Sequence, residues 1–329
     1  MLLLGPCAAE SREQVLATAE QLVGQLPAGR AFVYRAGAWK PRTSPGTFQG
    51  AGAVALPWLG EVRARFGVPV ATEVATEEHV RMALEAGIDY LWIGARTSAN
   101  PILVQLLADA LTTAPQKPQG VLVKNPVNDD WRLWEGNIRR CQASGVPVMA
   151  VHRGCGHEPH WEMAYRLRQT MPEVPLLLDP SHMAGKTAGI APLVVVAERL
   201  QYAGLMVEVH CRPAEALSDA EQQLTPAEAV ALLAGSGTEA AEESQTLAWL
   251  RQMIDEEDER LWHVLLRRMD IVREIGEYKR AEGMAVLQPE RYEAIVRRRE
   301  EWAREHGLSD EAVHTILDAI HREACRVQQ

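Results

Sequence analysis

Short apolar segments rich in valine, isoleucine and leucine recur along roughly the first two thirds of the chain. Each segment is a continuous apolar run, which is typical of strands that are buried on both faces of a parallel sheet. The pattern predicts eight strands, at residues 2–5, 31–35, 69–72, 90–93, 120–124, 147–151, 175–178 and 205–209.

Stretches with a helical period lie between these strands, as at residues 11–26, 101–111, 131–143 and 191–203. A series of eight strand–helix units predicts a (β/α)8 TIM barrel. An open doubly wound sheet is the alternative, and it is disfavoured because no G-x-G-x-x-G motif follows the first strand.

The last part of the chain has a different pattern, in which apolar residues recur at a three-four spacing. This spacing predicts one long helix with a single apolar seam. Two further helices are predicted at 289–306 and 309–328. Because three helices of this length cannot close a full core alone, we expect a homodimer through them. The seam consists of Leu247, Leu250, Ile254, Leu261, Leu265, Val272 and Ile275, with Arg268 and Lys279 on the same side.

The composition changes near residue 238. Residues 239–329 hold one of the 19 prolines and three of the 24 glycines, as expected of long helices. We therefore predict a barrel domain at 1–234, a small polar linker at 235–245 and an all-α three-helix domain at 246–329.

The net charge and the apolar runs limit the partners of the protein. The charge of −10 at pH 7 lacks the basic excess of nucleic-acid-binding proteins. No apolar run reaches the length that a membrane span needs, so no membrane association is expected. The five cysteines are an odd number, which favours free thiols and a cytoplasmic location.

The chemistry of such a barrel lies on the face where the strands end. Cys7, His182, Glu208 and Asp219 fall at predicted strand ends or in the loop after the last strand. This mixed set of ligands suits one divalent ion such as Mn, Fe, Co or Zn. The alternatives are a buried apolar role for Cys7 and a capping or core role for His182.

Cations form a second group at the same face. Arginine binds phosphate through two parallel hydrogen bonds, and lysine supplies a point charge. The group therefore predicts a site for one or two phosphorylated small molecules, with salt bridges to nearby carboxylates as the alternative. Its members are Arg35, Lys40, Arg42, Arg96, Lys124 and Arg153.

Seven motifs along residues 1 to about 225 carry a family resemblance. They are GPCAAES at 5–11, KPRTSP at 40–45, IGART at 93–97, VKNP at 123–126, HRG at 152–154, DPSHxxGK at 179–186 and EVH at 208–210. In this order they resemble the type I-beta 3-deoxy-D-arabino-heptulosonate 7-phosphate (DAHP) synthases. That family condenses phosphoenolpyruvate with erythrose 4-phosphate to give DAHP and phosphate.

The resemblance implies a role for each matching residue. Cys7, His182, Glu208 and Asp219 would be the metal ligands. The chemistry of the condensation, rather than the resemblance, makes Lys40 or a water on the metal the expected proton donor, and Glu73 the residue expected to orient or deprotonate the attacking water. Phosphoenolpyruvate would be held by Arg35, Lys40, Ala95, Arg96, Lys124 and Arg153. Erythrose 4-phosphate would be held by the loop with Pro41, Arg42, Thr43 and Ser44.

The barrel also resembles the synthase of the eight-carbon sugar acid KDO. That family has Asn-Arg where this chain has Pro41-Arg42, so the loop favours the four-carbon aldehyde. The chain starts four residues before Gly5, and the regulatory domain that often precedes this barrel is not expected. Any feedback control would then come from the second half.

The helical part resembles the all-helical chorismate mutases over about 85 residues. In that family two protomers share each site, and chorismate rearranges to prephenate through held geometry and cations. The resemblance implies that one chain contributes Arg251. The partner chain would contribute Arg268, Lys279, Gln288, Arg291 and Gln328. Arg251, Arg268 and Lys279 would carry the catalysis.

Three positions depart from the mutase pattern. Gln288, Tyr292 and Ala324 stand where that family usually has an acidic residue, a glutamate and a serine. The contact with the substrate hydroxyl is therefore open. The leading hypothesis is a bifunctional shikimate-pathway enzyme. The alternative is an active synthase whose helical part binds chorismate or prephenate as a regulatory dimerisation module without catalysis.

Overall fold

The computed structural model describes residues 1–41, 46–235 and 245–328. Arg42, Thr43 and Ser44 of the predicted erythrose 4-phosphate loop lie outside the described residues, as do residues 236–244 of the predicted linker. The chain divides into two compact units, Met1–Met253 and Ile254–Gln329. The predicted domain bounds of 1–234 and 246–329 stay a prediction.

Parallel strands of the first unit close into a barrel, as predicted. Each strand pairs with the next one along the chain, and the last pairs with the first, so that Gly5 lies opposite Glu208. The strands in the described residues are β1 (Leu2–Gly5), β2 (Val33–Arg35), β3 (Val70–Val74), β4 (Tyr90–Ile93), β5 (Gly120–Lys124), β6 (Val148–His152), β7 (Leu176–Leu178) and β8 (Gly204–Glu208).

Helices alternate with the strands of this unit. Several begin at a side-chain cap: Ser11 accepts from the Gln14 amide, and Asn100 accepts from the amides of Ile102 and Leu103. The helices are α1 (Arg12–Gln25), α2 (Leu56–Phe66), α3 (Glu77–Glu85), α4 (Ala95–Ser98), α5 (Pro101–Thr113), α6 (Trp131–Gln142), α7 (Trp161–Thr170), α8 (Pro180–Ala184), α9 (Ile190–Arg199) and α10 (Pro226–Gly235).

Two apolar layers hold the barrel together. Side chains that point into the barrel form the inner layer, which includes Leu3, Trp92, Leu122 and Met206. Side chains on the other face of the strands pack against the helices and form the larger layer. Because both faces are buried, the strands are mainly apolar and most of their polar residues lie at the carboxyl ends, which is the pattern that predicted them.

Close approach of β1 and β2 requires a glycine at position 5. Gly5 has a φ of 146°, and a β carbon there would lie 2.1 Å from the carbonyl oxygen of Arg35. No side chain fits that gap without separating the two strands. The glycine therefore sets the path of the turn that carries Cys7.

The second unit is helical, as predicted. The long helix α11 (Gln245–Ala281) belongs to this unit from Ile254 onward. The unit also contains α12 (Pro289–His306) and α13 (Asp310–Gln328). Ser309 accepts a hydrogen bond from the Ala312 amide at 3.2 Å and so caps α13. No helix in the described ranges has the length and apolar character to cross a bilayer.

The apolar seam of α11 is covered only in part within one chain. Val272 is buried, whereas Ile254, Leu261 and Ile275 are 60%, 62% and 43% exposed. Exposed apolar residues at a helical spacing indicate a surface that another helix can cover. The predicted homodimer stays a prediction.

We predict that Gly5→Ala destabilises the barrel by about 1–3 kcal/mol, because the new methyl group meets the Arg35 carbonyl. The matched control is Gly24→Ala on α1, where nothing lies within 4 Å of the added carbon. Gly24→Ala is expected to leave the stability unchanged or slightly higher. Urea unfolding followed by circular dichroism measures both, and equal midpoints for the two variants would contradict the close approach.

Candidate functional site

The carboxyl ends of the strands surround a cavity of about 400 Å³. The structure brings together at this cavity most of the barrel residues that the sequence singled out. Lining residues among them are Lys40, Pro41, Glu73, Ala95, Arg96, Lys124, Arg153, His182 and Asp219.

Three potential metal ligands meet at the edge of this cavity. Cys7 follows β1, His182 lies in α8, and Glu208 ends β8, and one ligand atom from each lies within 4.8 Å of the others. Asp219 is not part of this group of three, although its Oδ2 lies 2.8 Å from the Cys7 Sγ. The structure thus places all four predicted ligands in one region.

The chemistry of this group fits a divalent cation. Glu208 is fully buried, and its Oε1 has no hydrogen-bond partner among the described residues. A buried carboxylate oxygen without a hydrogen bond is costly unless a cation compensates it. Thiolate, imidazole and carboxylate together suit a borderline transition metal.

Burial controls the protonation of the two residues nearest this group. Burial and the neighbouring Glu208 raise the pKa of the Cys7 thiol, so a metal has to displace its proton. Burial alone would lower the pKa of Lys40, but the nearby carboxylates of Glu208 and Asp219 outweigh it and raise that pKa. The Lys40 Nζ contacts the Cys7 Sγ and lies 3.4 Å from Asp219 Oδ2. A cation is therefore favoured at this position.

Asp179 organises the other side of the site. Its Oδ1 accepts from the His182 backbone amide at 3.1 Å and so caps α8. Its Oδ2 lies 2.9 Å from His182 Nδ1 and 2.5 Å from Lys124 Nζ. Burial would raise the pKa of Asp179, but the charges of His182 and Lys124 hold it well below its usual range. Because Nδ1 faces Asp179, the His182 Nε2 remains for Glu208, 3.6 Å away, or for a metal.

Arg35 lies among the ligands rather than on the cavity wall. It is 1% exposed, and its Nη2 lies 3.3 Å from Glu208 Oε1 and 3.2 Å from the Cys7 carbonyl. Its guanidinium also lies over the Trp92 ring at 4.7 Å. This position favours a role in neutralising Glu208, and the predicted contact with phosphoenolpyruvate stays a prediction.

The remaining barrel residues line the cavity itself. Arg96 is exposed and Arg153 is half-buried, so both can reach a bound anion. The Glu73 carboxylate packs against Gly94, where an added β carbon would lie 2.0 Å from its Oε1. Salt bridges, the alternative for the cations, are present for the buried members Arg35, Lys40 and Lys124.

His152 does not belong to the site, although its place at a strand end suggested that it could. It points into the layer between strands and helices, where its Nδ1 lies 2.8 Å from the Tyr202 hydroxyl and its ring stacks on Trp134. Burial lowers the pKa of His152 to about 3, so the ring is neutral. The neighbouring Arg153 takes the opposite side and reaches the cavity.

The residues of the predicted chorismate site differ in exposure. Lys279 is buried, and its Nζ donates to the Val286 carbonyl at 2.8 Å. Gln328 is also buried, and its Oε1 has no hydrogen-bond partner among the described residues. Arg268 and Arg291 are exposed, and Gln288 precedes α12. Arg251 belongs to the first unit.

Two of the departing positions are also defined by the structure. The Tyr292 hydroxyl bonds to Asp318, and its ring stacks on His321 with centroids 4.1 Å apart. Ala324 is buried, and its carbonyl accepts from Gln328 Nε2. Tyr292 therefore makes contacts with α13 that a glutamate could not make in the same way.

Sequence reasoning missed three side chains around the metal group. Asp179 stood in a recognised motif but had no role, and Gln222 and Gln223 were not singled out. Gln222 donates to Glu208, and Gln223 accepts from the Cys7 amide. A glutamine in a loop gives no signal in the sequence, because only its burial and its partner distinguish it.

Family comparisons divide the chain in the same way as its composition. Residues 1–243 match the DAHP synthetase I family, and residues 250–329 match chorismate mutase type II. The chain is 30% identical over 240 residues to a phospho-2-dehydro-3-deoxyheptonate aldolase of Thermotoga maritima. That match covers 68% of this chain and 64% of the relative, so the chain spans less than two thirds of that protein.

Other relatives match one part each. A 2-dehydro-3-deoxyphosphooctonate aldolase of Methylobacillus flagellatus is 28% identical over 240 residues, covering 66% of this chain and 82% of the relative. A 4-amino-4-deoxychorismate mutase of Streptomyces pristinaespiralis is 33% identical over 79 residues, covering 24% of this chain and 61% of the relative. The crystal structure of a DAHP synthase from Thermotoga maritima superposes with a TM-score of 0.61 at 28% identity, covering 71% of this chain and 67% of that one.

We predict that Asp179→Asn destabilises the metal-free barrel by about 3–5 kcal/mol, because it leaves Lys124 buried without its anion. The control is Glu162→Gln, which removes a half-exposed pair with Arg166 at 3.1 Å and should change little. Urea unfolding in the presence of EDTA measures both variants. Equal losses would show that burial of the Asp179 charge is not what matters.

The pH dependence of this loss follows from the lowered pKa of Asp179. An acid whose pKa is lowered on folding stabilises the folded state above its unfolded pKa, about 3.9 for aspartate. The difference between wild type and Asp179→Asn should therefore be full near neutral pH and shrink as the pH falls through the folded pKa. A difference that grows on acidification would contradict this assignment.

Proposed function

The chain belongs to the DAHP synthetase I family over residues 1–243 and carries a chorismate mutase type II domain over residues 250–329, and we propose that it is a bifunctional shikimate-pathway enzyme. The barrel would condense phosphoenolpyruvate with erythrose 4-phosphate to give DAHP and phosphate. The helical domain would convert chorismate to prephenate. The observation that carries the proposal is the group formed by buried Cys7 and Glu208 with half-buried His182, beside a cavity lined by cations.

The cavity would hold both phosphorylated substrates of the proposed condensation. Arg96, Lys124 and Arg153 come from three different strand ends and face the same space. They would bind the phosphate and carboxylate of phosphoenolpyruvate, with Ala95 beside the phosphate. Pro41 also lines the cavity, and we propose that the residues after it, Arg42, Thr43 and Ser44, hold erythrose 4-phosphate.

The condensation forms a bond from C3 of phosphoenolpyruvate to the aldehyde carbon, after which water adds at C2 and phosphate leaves. Cys7, His182, Glu208 and Asp219 would hold the divalent ion, which supplies Lewis-acid polarisation of a carbonyl when bound. Lys40 would donate a proton to the new alkoxide, and Glu73 would orient or deprotonate the water. Fixed cations stabilise the charge that develops at C2.

Synthesis of the eight-carbon sugar acid KDO, in its phosphorylated form, is the competing function for the barrel. Its support is the Methylobacillus flagellatus relative at 28% identity. The Pro41 that follows Lys40 favours the four-carbon aldehyde. Parallel assays with erythrose 4-phosphate and arabinose 5-phosphate decide between the two, and preference for the pentose would overturn the assignment.

The mutase reaction needs cations around a dianion and no acid, base or nucleophile. Lys279 and Gln328 are buried in the second unit and would contact chorismate together with Gln288 and Arg291. Arg268 would lie in the same site, and Arg251 would come from the partner chain of a homodimer. The exposed apolar residues of α11 support that dimer.

A second candidate substrate for the helical domain is 4-amino-4-deoxychorismate. The relative of Streptomyces pristinaespiralis is a mutase of that compound, at 33% identity over 79 residues. Tyr292 and Ala324 differ from the residues that the mutase family usually has near the substrate hydroxyl. Chorismate and 4-amino-4-deoxychorismate differ at that hydroxyl. Turnover of each compound under the same conditions tests this candidate.

We predict that EDTA abolishes DAHP formation and leaves prephenate formation unchanged, because only the barrel holds a metal group among the described residues. Both activities of the full chain are measured before and after chelation, and again after Mn²⁺ is restored. Condensation that survives full chelation would contradict the metal dependence. Condensation without prephenate formation, together with inhibition by prephenate, would favour the regulatory module instead.

We predict that Lys279→Met lowers kcat/KM for the mutase reaction by about 100- to 1,000-fold, because it removes a buried donor to the transition state. Arg298→Met, an exposed residue of the same unit, is the control and should keep full activity. Condensation by the same Lys279→Met protein reports that the chain is intact. Unchanged mutase activity would remove Lys279 from the site.

A further inference from the structure

Two consecutive buried glutamines contact the metal group. Gln222 and Gln223 close the short turn Ala220–Gln222 after β8, and they are 6% and 1% exposed. A buried amide is costly unless its polar atoms are bonded. The hydrogen-bond partners of the two amides therefore indicate the role of these glutamines.

Gln222 is bonded to one oxygen of Glu208. Its Nε2 donates to Glu208 Oε2 at 2.8 Å, and both side chains are buried. The other oxygen, Oε1, has no hydrogen-bond partner among the described residues and lies 3.6 Å from His182 Nε2. The amide thus occupies one lone-pair region of the carboxylate and leaves the second oxygen for a cation.

Gln223 is bonded to a different part of the metal group. Its Oε1 accepts from the Cys7 amide at 2.9 Å, and its Nε2 donates to the Ser218 carbonyl at 2.8 Å. Ser218 precedes Asp219, which itself starts the turn with a φ of 51°. The turn that begins at Asp219 is therefore hydrogen-bonded to both Glu208 and Cys7.

An amide is suited to this task because it carries no charge. A lysine or arginine at the same place would neutralise Glu208 and compete with the metal, whereas an amide donor fixes the geometry and leaves the negative charge available. Glu208 already has one cationic neighbour, since Arg35 lies 3.3 Å from its Oε1. A second cation would leave little attraction for a divalent ion.

We infer that Gln222 is a positioning residue that restricts Glu208 to one oxygen toward the divalent ion and so sets the coordination number of the metal. Without the amide, the Glu208 carboxylate would be free to turn Oε2 toward the ion and so to bind the ion through both oxygens. The inference rests on the proposed metal-dependent condensation, because it assigns a purpose to the ligand geometry of that site.

The test compares Gln222→Met with wild type in Co²⁺ binding by the full chain. Methionine keeps the length of the side chain and removes the donor. Affinity is measured by competition with a chelator, and the visible d–d absorption of bound Co²⁺ reports coordination number. We expect affinity to fall by about 10- to 100-fold and the d–d bands to weaken as the coordination number rises.

The matched control is Gln14→Met on α1. Gln14 is a buried glutamine of the same barrel whose side chain accepts from the Glu10 amide and does not contact the metal group. The Gln14→Met variant measures how much the removal of a buried glutamine side chain lowers the stability of the barrel when the metal group is not contacted. We expect its Co²⁺ affinity and spectrum to equal those of wild type, even where its unfolding midpoint falls.

A second variant covers the case in which Gln222→Met does not fold. Gln222→Glu keeps the shape of the side chain and places a second carboxylate beside Glu208, so the Co²⁺ spectrum should again change. A folded variant at position 222 with the wild-type spectrum and affinity would overturn the inference. Wild-type protein that binds no Co²⁺ would overturn it as well. Normal Co²⁺ binding by the wild-type protein without any condensation activity would contradict the proposed function and would leave the role of Gln222 unaffected.

Discussion

Two carboxylates that solvent does not reach, Asp179 and Glu208, govern the arrangement of the barrel mouth. A buried charge is tolerated only when opposite charges or hydrogen bonds compensate it. Asp179 is compensated by Lys124 and His182, and Glu208 by Arg35 and Gln222. Lys124 ends β5 and Arg35 ends β2, so the end of β5 has to reach Asp179 after β7, and the end of β2 has to reach Glu208 at the end of β8, for these charges to be buried with a cationic partner.

The compensation is incomplete, and this is what suits the site to a metal. Glu208 keeps one oxygen without a hydrogen bond among the described residues, and the Cys7 thiol beside it stays protonated because burial raises its pKa. A divalent ion would satisfy the oxygen and displace the proton in one step. Binding of the ion would therefore offset the free-energy cost of burying these ligands.

Much of this could be predicted from the sequence because the barrel converts a one-dimensional feature, the end of a buried strand, into a position in space. Cys7, His182 and Glu208 were predicted in this way and lie together. Orientation at a strand end was not predictable, because His152 and Arg153 are neighbours that point to opposite sides. The roles of Asp179 and Gln222 depend on which partner each one contacts, and contacts between distant segments leave no local pattern.

The helical half presents the opposite electrostatic situation, since its arginines Arg268 and Arg291 are exposed in one chain. Cations in water stabilise a transition state far less than cations in a closed site, because the solvent screens them. A pericyclic reaction has no acid, base or nucleophile to make up for that loss. Exposed apolar residues such as Ile254 and Leu261 offer the surface through which a second chain could close the site. The proposed mutase activity therefore depends on the dimer in a way that the proposed condensation, whose charges are already buried within one barrel, does not.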